Sequence, residues 1–227
     1  MIEVVKKELR KYAHRERVSG VCRFFKTGKG EYGEGDKFFG IYVPDIRKTA
    51  TKFKELDLEN IKILLDSDIH EERLLGLFIL VKQFPNNEER IYKFYINNIK
   101  AVNNWDLVDL TADKIVGKYL FDKNKKILYK FAVSKNLWKR RIAIISTFYF
   151  IKKNKFKHSL KISNILLDDK HDLIHKAVGW MLREIGKRDQ ETEEKFLKKH
   201  LKQMPRTMLR YAIERFDKEK RCFFMKK

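Results

Sequence analysis

Apolar residues recur at three- and four-residue spacing along most of the chain after about residue 44, which is the period of an amphipathic α-helix. Alternating apolar and polar runs, the mark of half-buried strands, are scarce. The three prolines, Pro44, Pro85 and Pro205, fall where a helix would begin or has just ended. Helix starts are also predicted at the segments SDIHEE, PNNEER and SNIL, because Ser, Asp and Asn favour N-terminal caps. The pattern predicts an all-α fold.

A regular interval separates the predicted helices. The second helices of successive pairs are predicted to begin near five positions: His70, Asn104, Leu137, Lys170 and Met204. The intervals are 34, 33, 33 and 34 residues, which is typical of helical-repeat architectures. A basic residue followed three positions later by a small one recurs in three of these helices: Arg73/Gly76, Arg140/Ala143 and Lys176/Gly179. We expect close helix packing at each small residue.

Such repeats predict an α-solenoid, whose stacked helix pairs form a concave surface that is basic in this chain. We predict a single domain. Residues 1–43 break the period and form an N-terminal helical cap, residues 44–218 hold the helix pairs, and residues 219–227 form a C-terminal tail. The cap contains the glycine-rich segment KTGKGEYGEGD, residues 26–36. This segment matches neither a P-loop nor a dinucleotide fingerprint, so a connection between helices is favoured over a nucleotide site.

The charge balance indicates a polyanionic partner. Lys and Arg number 52 against 31 Asp and Glu, which gives a formal net charge of +21. A strong positive field is typical of proteins that bind nucleic acid. A device for solubility is the alternative explanation. The lysine-rich pieces KNKK (residues 123–126) and KKNKFK (residues 152–157) are interpreted as solvated faces that could also contact phosphates.

Other classes of protein are disfavoured. The two cysteines, Cys22 and Cys222, form no C-x-x-C pair, so neither a disulfide framework nor a thiolate zinc site is predicted. His171 and His175 have the spacing of a metal pair but lack a third ligand nearby, so surface histidines are favoured. The N-terminus lacks the apolar core of a signal peptide, and the longest apolar stretch is far shorter than the roughly 20 residues of a membrane span. We expect a soluble, cytoplasmic protein.

The segment NNWDLVDL, residues 103–110, contains a carboxylate in an unusual place. On a helical wheel, Asp109 lies at the margin of an apolar face, beside Trp105, whereas Asp106 and Asp113 lie farther round, as solvated residues do. The apolar face comprises Trp105, Val108, Ala112, Ile115, Val116 and Tyr119. A carboxylate beside an aromatic ring is costly to ionise unless a cation or hydrogen bonds compensate. Either a structural or a catalytic role must therefore explain Asp109.

Two further helices carry candidate residues. The helix NLWKRRIAIISTFYF is apolar on nearly every side and is predicted to be buried, and its Arg141 requires a carboxylate or phosphate partner. A structural ion pair between Arg141 and Asp109 is an equally open alternative. In HKAVGWMLREIGK, Trp180 lies at the edge of the apolar arc, near Lys176 and Arg183. This indole could stack on a base, or it could fill the gap between two repeats.

Several of these motifs together resemble a known family. NNWDLVD, WKRRIAI, KAVGWMLRE and MPRTMLRYAIE resemble segments of the AlkD-type DNA alkylation repair glycosylases, in the same order, over about residues 30–216. The resemblance implies a HEAT-like repeat fold and a monomeric enzyme of base excision repair. It also implies removal of cationic N3- or N7-alkylated purines from duplex DNA, without a metal or other cofactor.

The resemblance also implies roles for individual residues. Asp109 corresponds to the catalytic carboxylate, Trp105 and Trp180 to substrate-binding aromatic walls, and Arg141 to a contact with the DNA backbone. We predict further DNA contacts from Arg140, Lys176 and Arg183. Some relatives lack an N-terminal helix that probes the minor groove, and the corresponding region here contains the glycine-rich segment. A non-catalytic DNA-binding member of the family and a protein-binding solenoid are the competing hypotheses.

Overall fold

The computed structural model describes residues 1–226, and most of them are helical. Among these residues, extended backbone pairing is limited to a single bridge between Lys37 and Ile69. The all-α prediction is confirmed. No helix in this part of the chain combines the length and the apolar character that a bilayer crossing requires. The chain forms two compact units, which meet in sequence between Thr111 and Ala112.

The first unit is built around one buried helix. Its helices are α1 (Ile2–Arg10), α2 (Val18–Phe24), α3 (Val43–Lys52), α4 (Leu58–Leu65), α5 (His70–Gln83), α6 (Glu88–Asn97) and α7 (Trp105–Asp109). Helix α5 packs against both α3 and α4. Every residue of α5 from His70 to Leu80 is buried, including four consecutive charged or titratable side chains at its start. The centre of this unit therefore contains charge as well as apolar surface.

The glycine-rich segment lies between α2 and α3, so the predicted connection between helices is confirmed. The residue directly after it is attached to α5 through the backbone, because the His70 amide donates to the Lys37 carbonyl oxygen at 2.8 Å. Gly40 has a φ of +76°, and an added Cβ would lie 2.4 Å from the His14 carbonyl oxygen. Only glycine combines this backbone conformation with so close an approach.

Glu71 holds the end of this connection. Its Oε1 accepts hydrogen bonds from the backbone amides of Phe39 (3.1 Å), Gly40 (2.8 Å) and Ile41 (3.1 Å). Glu71 is 3% exposed, so water cannot replace it as the acceptor for these amides. The carboxylate is therefore the acceptor for backbone amides that have no sheet or helix partner.

The second unit begins with a π-helical turn, Asp113–Gly117. Its α-helices are α8 (Lys118–Leu120), α9 (Lys126–Ala132), α10 (Leu137–Lys152), α11 (Lys157–Ile165), α12 (Asp172–Gly186), α13 (Gln190–His200), α14 (Arg206–Ala212) and α15 (Lys218–Met225). Helices α10 and α12 pack on each other and on most of the others in this unit. The prediction that the helix NLWKRRIAIISTFYF is buried is confirmed, because residues 141–147 are all buried.

Small residues permit the closest helix contacts, as predicted for Gly179. A Cβ at Gly179 would lie 2.4 Å from the Met208 carbonyl oxygen on α14. Gly117, which the recurring basic-small pattern does not include, is equally tight, with Ser146 O at 2.2 Å from an added Cβ. At both positions a larger residue would force two backbones apart.

The predicted helix starts agree with the structure to within two residues. Helix α5 begins at His70, α7 follows its N-cap Asn104, and α10 begins at Leu137, while α12 and α14 begin two residues after Lys170 and Met204. Pro44 is the second residue of α3, Pro85 lies in the turn after α5, and Pro205 caps α14. The regular helix pairs are therefore confirmed.

One predicted helix start is wrong. The segment SNIL, residues 163–166, ends α11 instead of starting a helix, because α11 already begins at Lys157. The predicted C-terminal tail, residues 219–227, contains nearly all of helix α15, which spans Lys218–Met225 and buries Phe224. Lys227, the last residue of that tail, lies outside the described residues.

One arginine arrangement occurs once in each unit. Arg73 Nη1 donates to the Ser67 carbonyl oxygen at 2.8 Å, and its Nη2 donates to Asp36 Oδ1 at 2.7 Å. Arg140 Nη1 donates to the Ser134 carbonyl oxygen at 2.9 Å, and its Nε donates to Asp169 Oδ2 at 2.5 Å. In each case a serine six residues before the arginine begins the turn that precedes the helix. The guanidinium thus fastens the turn to the helix it enters.

Glu193 on α13 is a buried carboxyl group without such a partner for one of its oxygens. It is 1% exposed, and its Oε1 has no hydrogen-bond partner among the described residues. Burial raises the pKa of Glu193 to about 8, with a further increase from Glu194 and an opposing effect of Arg183. The side chain is therefore neutral at pH 7 in the folded protein.

We expect Glu71→Gln to lower the free energy of unfolding by about 2 kcal/mol, because the amide replaces one charged acceptor by a donor that faces backbone N–H groups. Urea denaturation followed by circular dichroism measures the change. Glu59→Gln, an exposed position on α4, is the matched control and should change stability little. Equal stabilities for the two variants would contradict the structural role of Glu71.

We expect Glu193→Gln to stabilise the protein at pH 7.5 by on the order of 2 kcal/mol. The folded-state pKa of Glu193 lies above the ordinary value of 4.5, so the carboxyl ionises at lower pH in the unfolded state than in the folded state. The folded protein therefore loses stability as the pH rises from about 4.5 to 8. The advantage of the variant should therefore disappear near pH 4. Thermal unfolding at both pH values tests this, with exposed Glu191→Gln as control, and a pH-independent difference would refute it.

Candidate functional site

A cavity of about 740 Å³ lies in the first unit, between α2, α3, α5 and α7. Five aromatic side chains line it: Phe24, Phe25, Phe38, Tyr42 and Trp105. Asp106 and Asp109, both on α7, also line it. The structure therefore brings together two of the residues predicted from sequence, Trp105 and Asp109. It adds aromatic residues from the N-terminal cap that the sequence analysis did not single out.

Trp105 is held at the start of α7. Its backbone amide donates to Asn104 Oδ1 at 2.8 Å, which caps this very short helix. The indole stacks on Phe25 at 5.2 Å between ring centroids, with 17° between the planes. Phe24, which is 63% exposed, meets the same indole edge to face at 5.5 Å. The ring is therefore half-buried and oriented by aromatic contacts.

Asp109 is the last residue of α7 and is half-buried. Leu110 and Thr111 form a turn directly after it, in which the Thr111 amide donates to the Val108 carbonyl oxygen three residues back at 3.1 Å. The expected single helix is therefore interrupted after Asp109, whereas Val108, Ala112, Ile115 and Val116 of its expected apolar face are buried. The break after Asp109 leaves the carboxylate at the end of a five-residue helix.

The placement of Asp106 and Asp113 on a solvated face is also wrong. Asp106 is 6% exposed, and its Oδ2 lies 2.8 Å from His70 Nε2. Asp113 is 3% exposed and accepts from Lys152 Nζ at 2.6 Å. Each carboxylate is buried against a cationic or donor side chain from a different helix. A wheel drawn for one helix contains no information about such partners.

His70 joins the site helix to the glycine-rich segment. Its Nε2 faces Asp106, and its Nδ1 lies 3.2 Å from Asp36 Oδ2. Asp36 in turn accepts from Arg73 and, at longer distance, from the side-chain amides of Asn103 (3.3 Å) and Asn104 (3.4 Å). This cluster was not predicted from the sequence. Its signal was the run HEER inserted directly before the apolar segment LLGLFIL.

The electrostatics of the cluster favour a charged imidazole. Burial by itself would lower the pKa of His70, but the carboxylates of Asp106 and Asp36 raise it to about 9. The pKa of Asp36 is lowered, because hydrogen bonding from His70 and the charge of Arg73 outweigh its burial. Two carboxylates and two cations thus share one buried space.

Two of the predicted DNA-binding residues lie on α10 in the second unit. Arg141 is 5% exposed, and its Nη1 donates to the Leu173 carbonyl oxygen. Arg140 is half-buried and donates to Asp169, Ser134 and Lys135. Both guanidinium groups therefore already serve protein acceptors, and their contacts with DNA stay a prediction.

The other three predicted residues of this unit lie on α12. Trp180 is half-buried at the edge of the helix, as predicted, and packs on Phe148 at 5.7 Å with 52° between the planes. Lys176 Nζ lies 2.6 Å from Asp172 Oδ2 in a partly exposed pair. Arg183 forms an ion pair with Glu214. Their roles in binding also stay predictions.

His171 and His175 make local contacts. The Leu173 amide donates to His171 Nδ1 at 3.2 Å, and His175 Nε2 lies 2.5 Å from the Asp169 carbonyl oxygen. Both rings are half-buried, so the prediction of surface histidines is only partly correct. Within residues 1–226, no group of three or more His, Cys, Asp or Glu side chains is placed to hold a metal ion.

Comparison with known structures shows the fold. A predicted DNA alkylation repair enzyme from Enterococcus faecalis superimposes with a TM-score of 0.75 at 17% identity, over 91% of this chain and 97% of that one. AlkD2 from Streptococcus mutans superimposes with a TM-score of 0.58 at 18% identity, over 89% of this chain and 99% of that one. The predicted fold class is confirmed by these matches.

Comparison of sequences shows the family. No curated protein matches the chain. The model of a family described as DNA alkylation repair enzyme matches residues 5–216, a range that contains most of both units and every helix described above except the start of α1 and α15. The chain therefore belongs to the DNA alkylation repair enzyme family.

Proposed function

We propose that this protein is a monofunctional DNA glycosylase of base excision repair. It hydrolyses the N-glycosidic bond of cationic N3- or N7-alkylated purines, such as 3-methyladenine and 7-methylguanine, in duplex DNA. The observation that carries the proposal is that Asp109 and Trp105 line one aromatic cavity in a member of the DNA alkylation repair family. Family membership by itself supports the coarser role in alkylation repair.

The substrate determines which chemistry is needed. An alkylated purine already carries positive charge, so the bond from sugar C1′ to the base nitrogen breaks with both electrons leaving on the base. The base departs neutral, and the sugar becomes an oxocarbenium ion. Water then adds to C1′ and loses a proton, which leaves an abasic site and the free base. Because the leaving group needs no protonation, the proposed reaction requires no cofactor.

Asp109 is the proposed catalytic carboxylate for this reaction. A carboxylate near C1′ stabilises the oxocarbenium ion, which develops only as the bond breaks, so its effect falls on the transition state. The same carboxylate orients the attacking water and accepts its proton. It lies at the end of α7 on the cavity lining, and the three residues directly before it, Asp106 to Val108, are buried.

The aromatic rings provide selectivity for charged lesions. The faces of tryptophan, tyrosine and phenylalanine attract cations by about 0.5–2 kcal/mol, depending on desolvation. Trp105 and the exposed Phe24 lie at the cavity together, so a cationic base or sugar gains more there than a neutral one. Trp180 is proposed as a further substrate contact, which rests on the sequence resemblance.

Duplex DNA is the proposed partner of the basic residues. The formal net charge of +21 favours association with phosphates, and counterion release makes that association dependent on salt. Among the proposed contacts, Lys176 can exchange its partly exposed partner Asp172 for a phosphate at little cost. Arg141 is buried, so its substitution would alter packing as well as binding. Lys176 therefore gives the clearer test.

We expect Asp109→Asn to reduce release of 7-methylguanine from methylated duplex by at least about 100-fold, while DNA affinity stays within about twofold. Single-turnover excision and fluorescence anisotropy measure the two quantities. Asp122→Asn, an exposed aspartate in the second unit, is the control. An unchanged rate removes Asp109 from the mechanism, and a wild-type protein that binds DNA but releases no base supports the non-catalytic alternative.

We expect Lys176→Ala to weaken binding to unmodified duplex and to reduce the slope of log affinity against log salt by about 1. Titrations at several salt concentrations measure this slope. Lys218→Ala, an exposed lysine on α15, serves as the comparison and should leave the slope nearly unchanged if α15 does not contact DNA. Identical slopes for Lys176→Ala and the wild type would exclude a phosphate contact by Lys176.

A further inference from the structure

His70 occupies a position that requires a particular protonation state. A neutral imidazole has one donor nitrogen and one acceptor nitrogen. Both ring nitrogens of His70 face carboxylate oxygens, Nε2 that of Asp106 at 2.8 Å and Nδ1 that of Asp36 at 3.2 Å. Ionised carboxylates only accept hydrogen bonds, so both nitrogens must carry protons when both acids are ionised. The geometry alone therefore favours an imidazolium.

The two carboxylates belong to different segments. Asp36 ends the glycine-rich segment, and Asp106 is the residue directly after Trp105 in α7. His70 lies between them as the first residue of α5. The groups that face it are these two acids and, from its own helix, the guanidinium of Arg73. The rings of Phe25 and Phe38 cover it, with centroids 4.9 Å and 4.7 Å away.

The same contacts reach the candidate site. Phe25, which covers His70, is the ring on which Trp105 stacks. Asp106 is on the same five-residue helix as Asp109, and a helix of that length has little stability of its own. Its orientation must come from contacts outside the helix. The pair between Asp106 and His70 is a buried, directional contact of this kind.

We infer that His70 is a positioning residue for the glycosylase site, which acts as an imidazolium bridging Asp36 and Asp106 so that α7 presents Trp105 and Asp109 to the cavity. This inference rests on the proposed function. It also gives the glycine-rich segment a role, because the segment delivers Asp36 to the bridge. Because His70 is only 2% exposed, it acts in this arrangement through α7 and not on the reacting atoms.

The stabilisation that the charged His70 bridge provides depends on pH. The pKa of His70 is raised from 6.5 to about 9 in the folded protein. The bridge therefore contributes its full stabilisation below pH 6.5 and loses it as the pH rises through 9. Excision should keep its rate across neutral pH and decline in alkaline solution. With one carboxylate neutralised, the decline should begin at lower pH.

The test combines three variants with single-turnover excision of 7-methylguanine between pH 5.5 and 9.5, corrected for uncatalysed release. At pH 7.5 we expect His70→Gln to reduce the excision rate about 10- to 100-fold, because small misplacement of a catalytic group has effects of that size. DNA affinity should change by less than about twofold. Asp106→Asn should move the alkaline decline toward neutral pH by at least one unit. His158→Gln, a half-buried histidine of the second unit, should match the wild type.

The outcomes separate the possible failures. If the wild type is active and His70→Gln has the same excision rate and pH profile, the positioning role alone is overturned. A wild type that releases no base at any pH overturns the proposed function, and the positioning role of His70 with it. If the variants do not fold, NMR titration of the His70 ring in the wild type decides, because a midpoint near 6.5 contradicts a charged bridge and one near 9 supports it.

Discussion

Four consecutive titratable residues, 70–73, enter the interior of the first unit, and their need for partners organises that unit. Burying an unpaired charge costs several kcal/mol, so each must be compensated within the fold. The partners come from segments far apart in sequence: His70 faces Asp36 and Asp106, Glu71 accepts from the backbone of residues 39–41, Glu72 pairs with Lys6 and Arg10, and Arg73 pairs with Asp36. Helix α1, the glycine-rich segment and α7 are thereby fastened to α5.

The candidate site depends on this fastening. Its cavity lining comes from α2, α3, α5 and α7, and α7 has only five residues. Apolar burial alone is not directional and would leave so short a helix free to rotate. Hydrogen bonds between buried charged groups are directional, and they fix which side of α7 faces the cavity. The buried charged groups therefore determine the orientation of α7 and with it the geometry of the candidate site.

Close approach of helix backbones is a feature of the second unit. Helices α10 and α12 pack closely where glycine lets backbones approach, as at Gly117 and Gly179. The arginine arrangement of the first unit recurs there, with Arg140, Asp169 and Ser134 in the places of Arg73, Asp36 and Ser67. Glu193 lacks such compensation and is neutral at pH 7 as a result. The second unit thus contains both a compensated arginine, Arg140, and an uncompensated carboxyl group, Glu193.

The helical period, the helix starts and the regular repeat could be predicted from the sequence, because these depend on residues within one turn or one repeat of each other. The prominence of Trp105 and Asp109 was also visible, since both lie in one short segment. The burial of Asp106, Asp113 and His70 could not be predicted, because their partners are 36 and 39 residues away and belong to other helices. The end of α7 at Asp109 was missed for a related reason: apolar periodicity continues through the break. Local chemistry determined which elements form, whereas tertiary packing decided which charges meet and where the carboxylate of Asp109 lies.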